Sequence, residues 1–115
     1  MVARMDISVF RTFVSVVDEG SFSTAALRMG ISRSLCSKHV ADLEADLGVR
    51  LLTRTTRKVT PTAAGLSYCR DLREVLARLD EATESVKAVS SSLSGVLKIG
   101  SPIFYTLKVL QQHLL

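Results

Sequence analysis

Beyond Pro61 the chain meets no further proline, and past the next turn no glycine, until Gly95. Thr62 can cap a helix opening at the next residue, so the sequence predicts one helix from Ala63 to about Ser92, roughly 45 Å long at 1.5 Å per residue. A rod of that length in a chain of 115 residues needs a partner. Along it Leu72, Val75, Leu79, Ala82, Val86, Val89 and Leu93 alternate steps of three and four, the narrow stripe of helix pairing. Near Tyr68 this stripe can pack against the chain's own earlier helices. Farther along too little chain remains to cover it, and it reads as a dimer seam.

The segments before Pro61 are shorter and sharply punctuated. From Asp6 to Val17, Phe10, Phe13, Val14 and Val17 recur at helical spacing and Gly20 closes the segment. Ser23 can cap a short second helix through Ala25, Ala26, Leu27 and Met29, ended by Gly30. Ser32 starts a third helix at once, with Cys36, Val40, Leu43 and Leu47 as its apolar stripe and Gly48 just past its end. Its other face carries Arg33, Ser34, Ser37 and Lys38. A short helix, a turn with glycine and a longer helix with a basic front is the pattern of a helix-turn-helix. Leu51 to Thr53 and Val59 to Thr60 are β-prone pieces around Arg54-Thr55-Thr56-Arg57-Lys58, which predicts a two-stranded ribbon with a basic tip, a wing. After the long helix, Ser90 to Gly95 reads as a hinge-like linker, Val96 to Ile99 as a strand, and Ile103 to Leu115 as the start of an amphipathic helix. The expected fold is mainly α.

The net charge of +4 is modest, but its distribution is uneven. Three basic residues and no acid lie between Arg28 and Lys38, and four and no acid between Arg50 and Lys58. Two separate basic patches suggest a polyanion partner. The aromatic residues do not interleave with those patches, which argues against single-strand stacking and favours duplex DNA. The two cysteines, Cys36 and Cys69, and the two histidines, His39 and His113, lack zinc-site spacing. No run approaches the 18 or so apolar residues of a membrane span, and no secretory core stands at the start, so a cytoplasmic protein is expected.

The run Phe13 to Lys58 closely resembles the DNA-binding domain of LysR-type transcriptional regulators. Carrying the resemblance are G20-S-F-S-T-A-A-L27, I31-S-R-S-L-C-S-K-H-V40, L43-E-A-D-L-G-V-R-L-L-T-R-T-T-R57 and T60-P-T-A-A-G65. The similarity extends over residues 5 to about 100. It implies a winged helix-turn-helix over 5–61, a linker helix over 62–93 that dimerises antiparallel with its counterpart, and over 94–115 the start of a truncated effector-binding domain. It further implies a bacterial, nucleoid-associated regulator, a homodimer and in a full-length form a higher oligomer. A small-molecule effector belongs to this picture only if a further C-terminal domain exists; no cofactor is implied. The chain departs from the family pattern at Arg33 and Ser34, where Gln and Pro are common, at Lys38, where Arg is frequent, and at Ala63, where Glu is frequent.

Arg33, Ser34, Ser37 and Lys38 lie in the first two turns of the helix opened by Ser32, where a recognition helix meets base edges. Arg33 suits the O6 and N7 of guanine, whereas Gln would favour adenine. Ser23 and Thr24 can donate to phosphate or act as simple caps. Arg54, Thr55, Arg57 and Lys58 form the wing, and Arg is suited to a narrow A·T-rich minor groove. Arg54 can instead buttress the wing through a local ion pair. With Ser32 as cap, Ile31 and Cys36 occupy the positions of a hydrophobic staple, so Cys36 is expected to be a small apolar residue, and Cys69 a free thiol of the long helix. His39 reads as a partly exposed helix residue. Glu44 and Asp46 have no second carboxylate or His at a catalytic spacing, and no G-x-S-x-G, phosphate loop or H-E-x-x-H occurs. A non-enzymatic regulator is expected. The competing reading is a short interaction protein that sequesters full-length regulators in mixed dimers without touching DNA.

Overall fold

The computed structural model describes residues 6–55 and 58–99, with side chains through Ser91. Three helices, a two-stranded ribbon and a fourth helix follow in order: α1 (Ile7–Glu19), α2 (Phe22–Met29), α3 (Arg33–Leu47), β1 (Leu52–Arg54), β2 (Val59–Pro61) and α4 (Ala63–Ile99). The chain divides into two compact units, one reaching Val75 and the other beginning at Leu76.

In the first unit, α1 to α3 pack around Val9, Phe13, Val16, Phe22, Ala25, Ala26, Cys36, Val40 and Leu43. Asp6 caps α1 by accepting the Ser8 amide, and Ser32 caps α3 by accepting the Leu35 amide. The cap of α2 is Ser21, not Ser23: its Oγ accepts the Thr24 amide at 3.2 Å. Starting one residue after Ser21 puts Phe22 on the same helical face as Ala25 and Ala26, and all three are buried. Burying that aromatic ring sets where the helix begins. Leu27, one step round the helix, is 82% exposed. The turn into α3 passes through Gly30 at φ 71°, a left-handed conformation that a side chain would strain. Ile31, expected to staple with Cys36, is partly buried against the core cluster to which Cys36 belongs. In α1 the buried line is Val9, Thr12, Phe13 and Val16, with Phe10, Val14 and Val17 on its flanks.

The ribbon is antiparallel, pairing Leu52 with Pro61, Thr53 with Thr60 and Arg54 with Val59. Pro61 ends it, and Thr62 caps α4 by accepting the Gly65 amide at 3.0 Å while its own hydroxyl donates to the Arg50 carbonyl. Early α4 closes the core with Cys69 and Leu72, and the Tyr68 ring lies 6.0 Å from that of Phe13. Leu72 therefore belongs to the core of the first unit rather than to the exposed stripe.

In the second unit α4 continues without a break to Ile99, across the serines expected to form a hinge and across Val96 to Ile99, expected as a strand. Serine is only mildly unfavourable inside a helix and one glycine costs about 1 kcal/mol relative to alanine. Extending an existing helix is far easier than nucleating one, so without a proline the run stays helical. Val75, Leu79 and Val86 are 56%, 40% and 69% exposed, Ala82 is exposed and Val89 is half-buried. The side chain of Leu93 and the apolar positions expected from Ile103 to Leu114 lie outside the described residues, as does Arg57 in the wing.

Candidate nucleic-acid interface

The amino end of α2, the amino end of α3 and the ribbon meet at a cleft of about 210 Å³ lined by Gly20, Ser21, Phe22, Ser23, Arg33, Thr55, Lys58 and Val59. Its geometry is local in origin. The Val59 amide donates to the Gly20 carbonyl at 3.3 Å, tying the ribbon to the turn that opens α2. Capped ends of α2 and α3 turn their first amides and the positive ends of their dipoles outward, which suits an anion.

Positive charge around this cleft is selectively committed. Arg28 is paired with Glu19 at 3.0 Å and Lys38 with Asp42 at 2.7 Å, one turn further along α3. The side chains of Arg33 and Lys58 have no hydrogen-bond or ion-pair partner among the described residues, and both residues border the cleft. A guanidinium and an ammonium left to water at one opening can exchange it for phosphate oxygens or a guanine edge without first breaking an internal ion pair. Ser34 is exposed on the first turn of α3, and Ser37 is half-buried one turn on. Leu35, between them, is 39% exposed, an apolar side chain on a polar surface of the kind that contacts a thymine methyl. Carrying neither charge nor hydroxyl, it has no sequence signal that marks it as a contact.

The two-stranded wing forms where the sequence places it, but Arg54 does not make, among the described residues, the local ion pair considered for it. Its guanidinium instead lies 4.7 Å from the centre of the Phe22 ring, a cation–π contact joining β1 to α2. Thr55 closes the tip, accepting the Lys58 amide and donating to the Lys58 carbonyl, each at 3.1 Å. Glu44, noted in the sequence only for lacking a catalytic partner, holds the base: its Oε2 accepts the amides of Leu51 at 2.7 Å and Leu52 at 3.1 Å. A carboxylate bridging two amides of a strand start fixes the wing to the end of α3. Thr24 and Ser23 are exposed on α2, and the Ser32 oxygen is occupied as a cap.

Both cysteines are buried. Burial pushes the Cys36 thiol up despite the nearby Arg33, and likewise the Cys69 thiol beside Arg73. A thiol held protonated is a poor nucleophile. Among the described residues no cluster of three metal-binding side chains occurs, and no helix is long and apolar enough to cross a membrane.

Comparison with known proteins gives a consistent result. Residues 7–66 match the family described as bacterial regulatory helix-turn-helix protein, lysR family. An HTH-type transcriptional regulator of Haemophilus influenzae is 44% identical over 90 residues, 78% of this chain and 31% of the relative. The HTH-type transcriptional regulator TfdT of Cupriavidus pinatubonensis is 38% identical over 105 residues, 89% of this chain and 46% of the relative. The chain thus spans less than half the length of these curated relatives. Among solved structures, the BenM DNA-binding domain complexed with catB site 1 DNA superposes with a TM-score of 0.72 at 32% identity, over 76% of this chain and 97% of that one. The DNA complex of the CbnR DNA-binding domain gives 0.69 at 31% identity, over 75% and 99%.

Proposed function

The chain belongs to the LysR family of bacterial regulatory helix-turn-helix proteins, whose matched members are transcriptional regulators rather than enzymes, and on that premise we propose that it is a sequence-specific, double-stranded DNA-binding regulator acting in the cytoplasm as a homodimer. In this reading 5–61 is the DNA-binding domain, 62–93 the dimerisation helix and 94–115 the opening of an effector-binding domain. The recognition helix α3 enters the major groove, where Arg33, Ser34, Ser37 and Lys38 face base edges and phosphates. The wing, with Arg54, Thr55, Arg57 and Lys58, follows the adjacent minor groove, and Ser23, Thr24 and Ser32 hold the backbone. Val75, Leu79, Ala82, Val86 and Val89 form the seam. The observation that carries the reading is the convergence of Arg33 and Lys58, neither side chain paired among the described residues, on one cleft at the ends of two capped helices.

A gel-shift titration tests it, comparing a site selected from random duplexes with unselected duplex at two salt concentrations. The selected site is expected to bind about a thousandfold more tightly or better. Equal affinity for every duplex would refute the reading. Dimerisation without any salt-dependent DNA binding would favour the mixed-dimer alternative.

A further inference from the structure

Thr12 is the one polar side chain among the fully buried positions described, and nothing in the cleft requires it. Its Oγ1 lies 2.7 Å from the Ser8 carbonyl oxygen, one turn back in α1, and 3.1 Å from Nδ1 of His39 on α3. A hydroxyl has one proton. The shorter distance is that of a full O–H···O bond and the longer that of an N–H···O bond. With its proton given to Ser8, the Thr12 oxygen can only accept, so Nδ1 of His39 must carry a proton. We propose that His39 is a positioning residue for DNA recognition, held as the Nδ1–H tautomer by Thr12. Through that bond α3, with Arg33, Ser37 and Lys38, takes one setting against α1. Protonation of the ring leaves the bond intact, because the imidazolium keeps the Nδ1 proton. The inference rests on the DNA reading above only for what α3 is positioned to do.

Long-range nitrogen–proton NMR of the histidine rings, at the alkaline end of the titration and without DNA, reads the tautomer directly. The parent is expected to show His39 as Nδ1–H, and Thr12→Val, which keeps the side-chain shape and removes the acceptor, to return it to the Nε2–H form. A parent ring in the Nε2–H form, or a ring unaffected by Thr12→Val, overturns the assignment. Positioning is read from amide exchange over Arg33–Val40. His39→Asn places its amide nitrogen where Nδ1 lies and should keep protection close to the parent's, whereas His39→Gln and Thr12→Val should lose about tenfold. Their discrimination between selected and unselected duplex should fall by a similar factor, with non-specific binding unchanged. Equal protection in all three variants overturns the positioning role, as does equal discrimination in a parent that discriminates. A parent with the expected tautomer and exchange pattern that binds every duplex alike refutes the DNA reading and leaves the tie between α1 and α3 standing.

Discussion

At the scale of single residues, the basic side chains differ in what they are free to do. Arg33 has no partner among the described residues, whereas Lys38 is already held by Asp42. Arg33→Ala is expected to relax preference at one base pair of the site, costing roughly 1 to 3 kcal/mol against the matched sequence and little against others. Lys58→Ala should instead weaken every duplex alike and make the slope of log affinity against log salt shallower by about 0.9. Gel-shift titrations across a set of single-base variants at several salt concentrations separate the two. If Arg33→Ala alters only the salt slope, its role as a base reader fails. The buried thiols carry a second consequence. Cys36 and Cys69 are pushed up by burial, and so is the Tyr68 phenol, so the folded state holds these protons more tightly than the unfolded chain does. Their contribution to stability is complete below the unfolded thiol value and is lost as pH rises beyond it. The denaturation midpoint should therefore fall above about pH 8.5. Replacing both cysteines by alanine should flatten that fall, and an unchanged profile would contradict it.

At the scale of elements, the wing and α4 depend on one close approach. A Cβ added to Gly65 would overlap the Leu51 carbonyl oxygen and lie 2.8 Å from its carbon. Leu51 has little freedom to yield, because its amide is held by Glu44 and its carbonyl accepts the Thr62 amide. Gly65→Ala should thus cost about 3 kcal/mol, the upper range for overpacking, despite the better helix propensity of alanine. Urea denaturation measures it, and a neutral or stabilising effect would mean that α4 does not start where it is described. Farther along α4, Arg73 joins it to α1 by donating to both carboxylate oxygens of Asp18. That exposed pair fixes direction more than it adds stability.

At the scale of the molecule, the exposed apolar side chains of α4 are the feature a lone chain leaves unexplained. Leu79 and Val86 are 40% and 69% exposed on a helix that also carries ten charged residues from Arg70 to Lys98. Leu79→Lys would place a charge in the proposed seam from each chain, forfeiting roughly 1.5 to 3 kcal/mol of burial per side chain before any repulsion. The expected result is a folded monomer by sedimentation. It should bind a one-half-site duplex as the parent does and lose the parent's advantage on a two-half-site duplex. A variant that remains dimeric, or a monomer that keeps the advantage, would remove α4 from that role.

What the sequence determined by itself is the part of the molecule in which cause and effect lie within a turn or two. Ser32 and Gly48 bound α3 because a cap oxygen meets an amide three residues on and a glycine ends the helix. The ribbon, the Thr62 cap and the long helix arise from the same short-range chemistry, and Arg33 and Lys58 were legible as candidate contacts from charge alone. The start of α2 was not, because Ser21 and Ser23 are equally good caps and only the burial of Phe22 chooses between them. Nor was the end of α4, where weak breakers lose to an established helix. The contacts left to the tertiary structure join residues far apart in the chain: Glu44 to the amides of Leu51 and Leu52, Arg54 to Phe22, Thr12 to His39. Each ties one element of the first unit to another, and none has a local signature, because a carboxylate, a guanidinium or an imidazole finds its partner only after the apolar faces around it have packed.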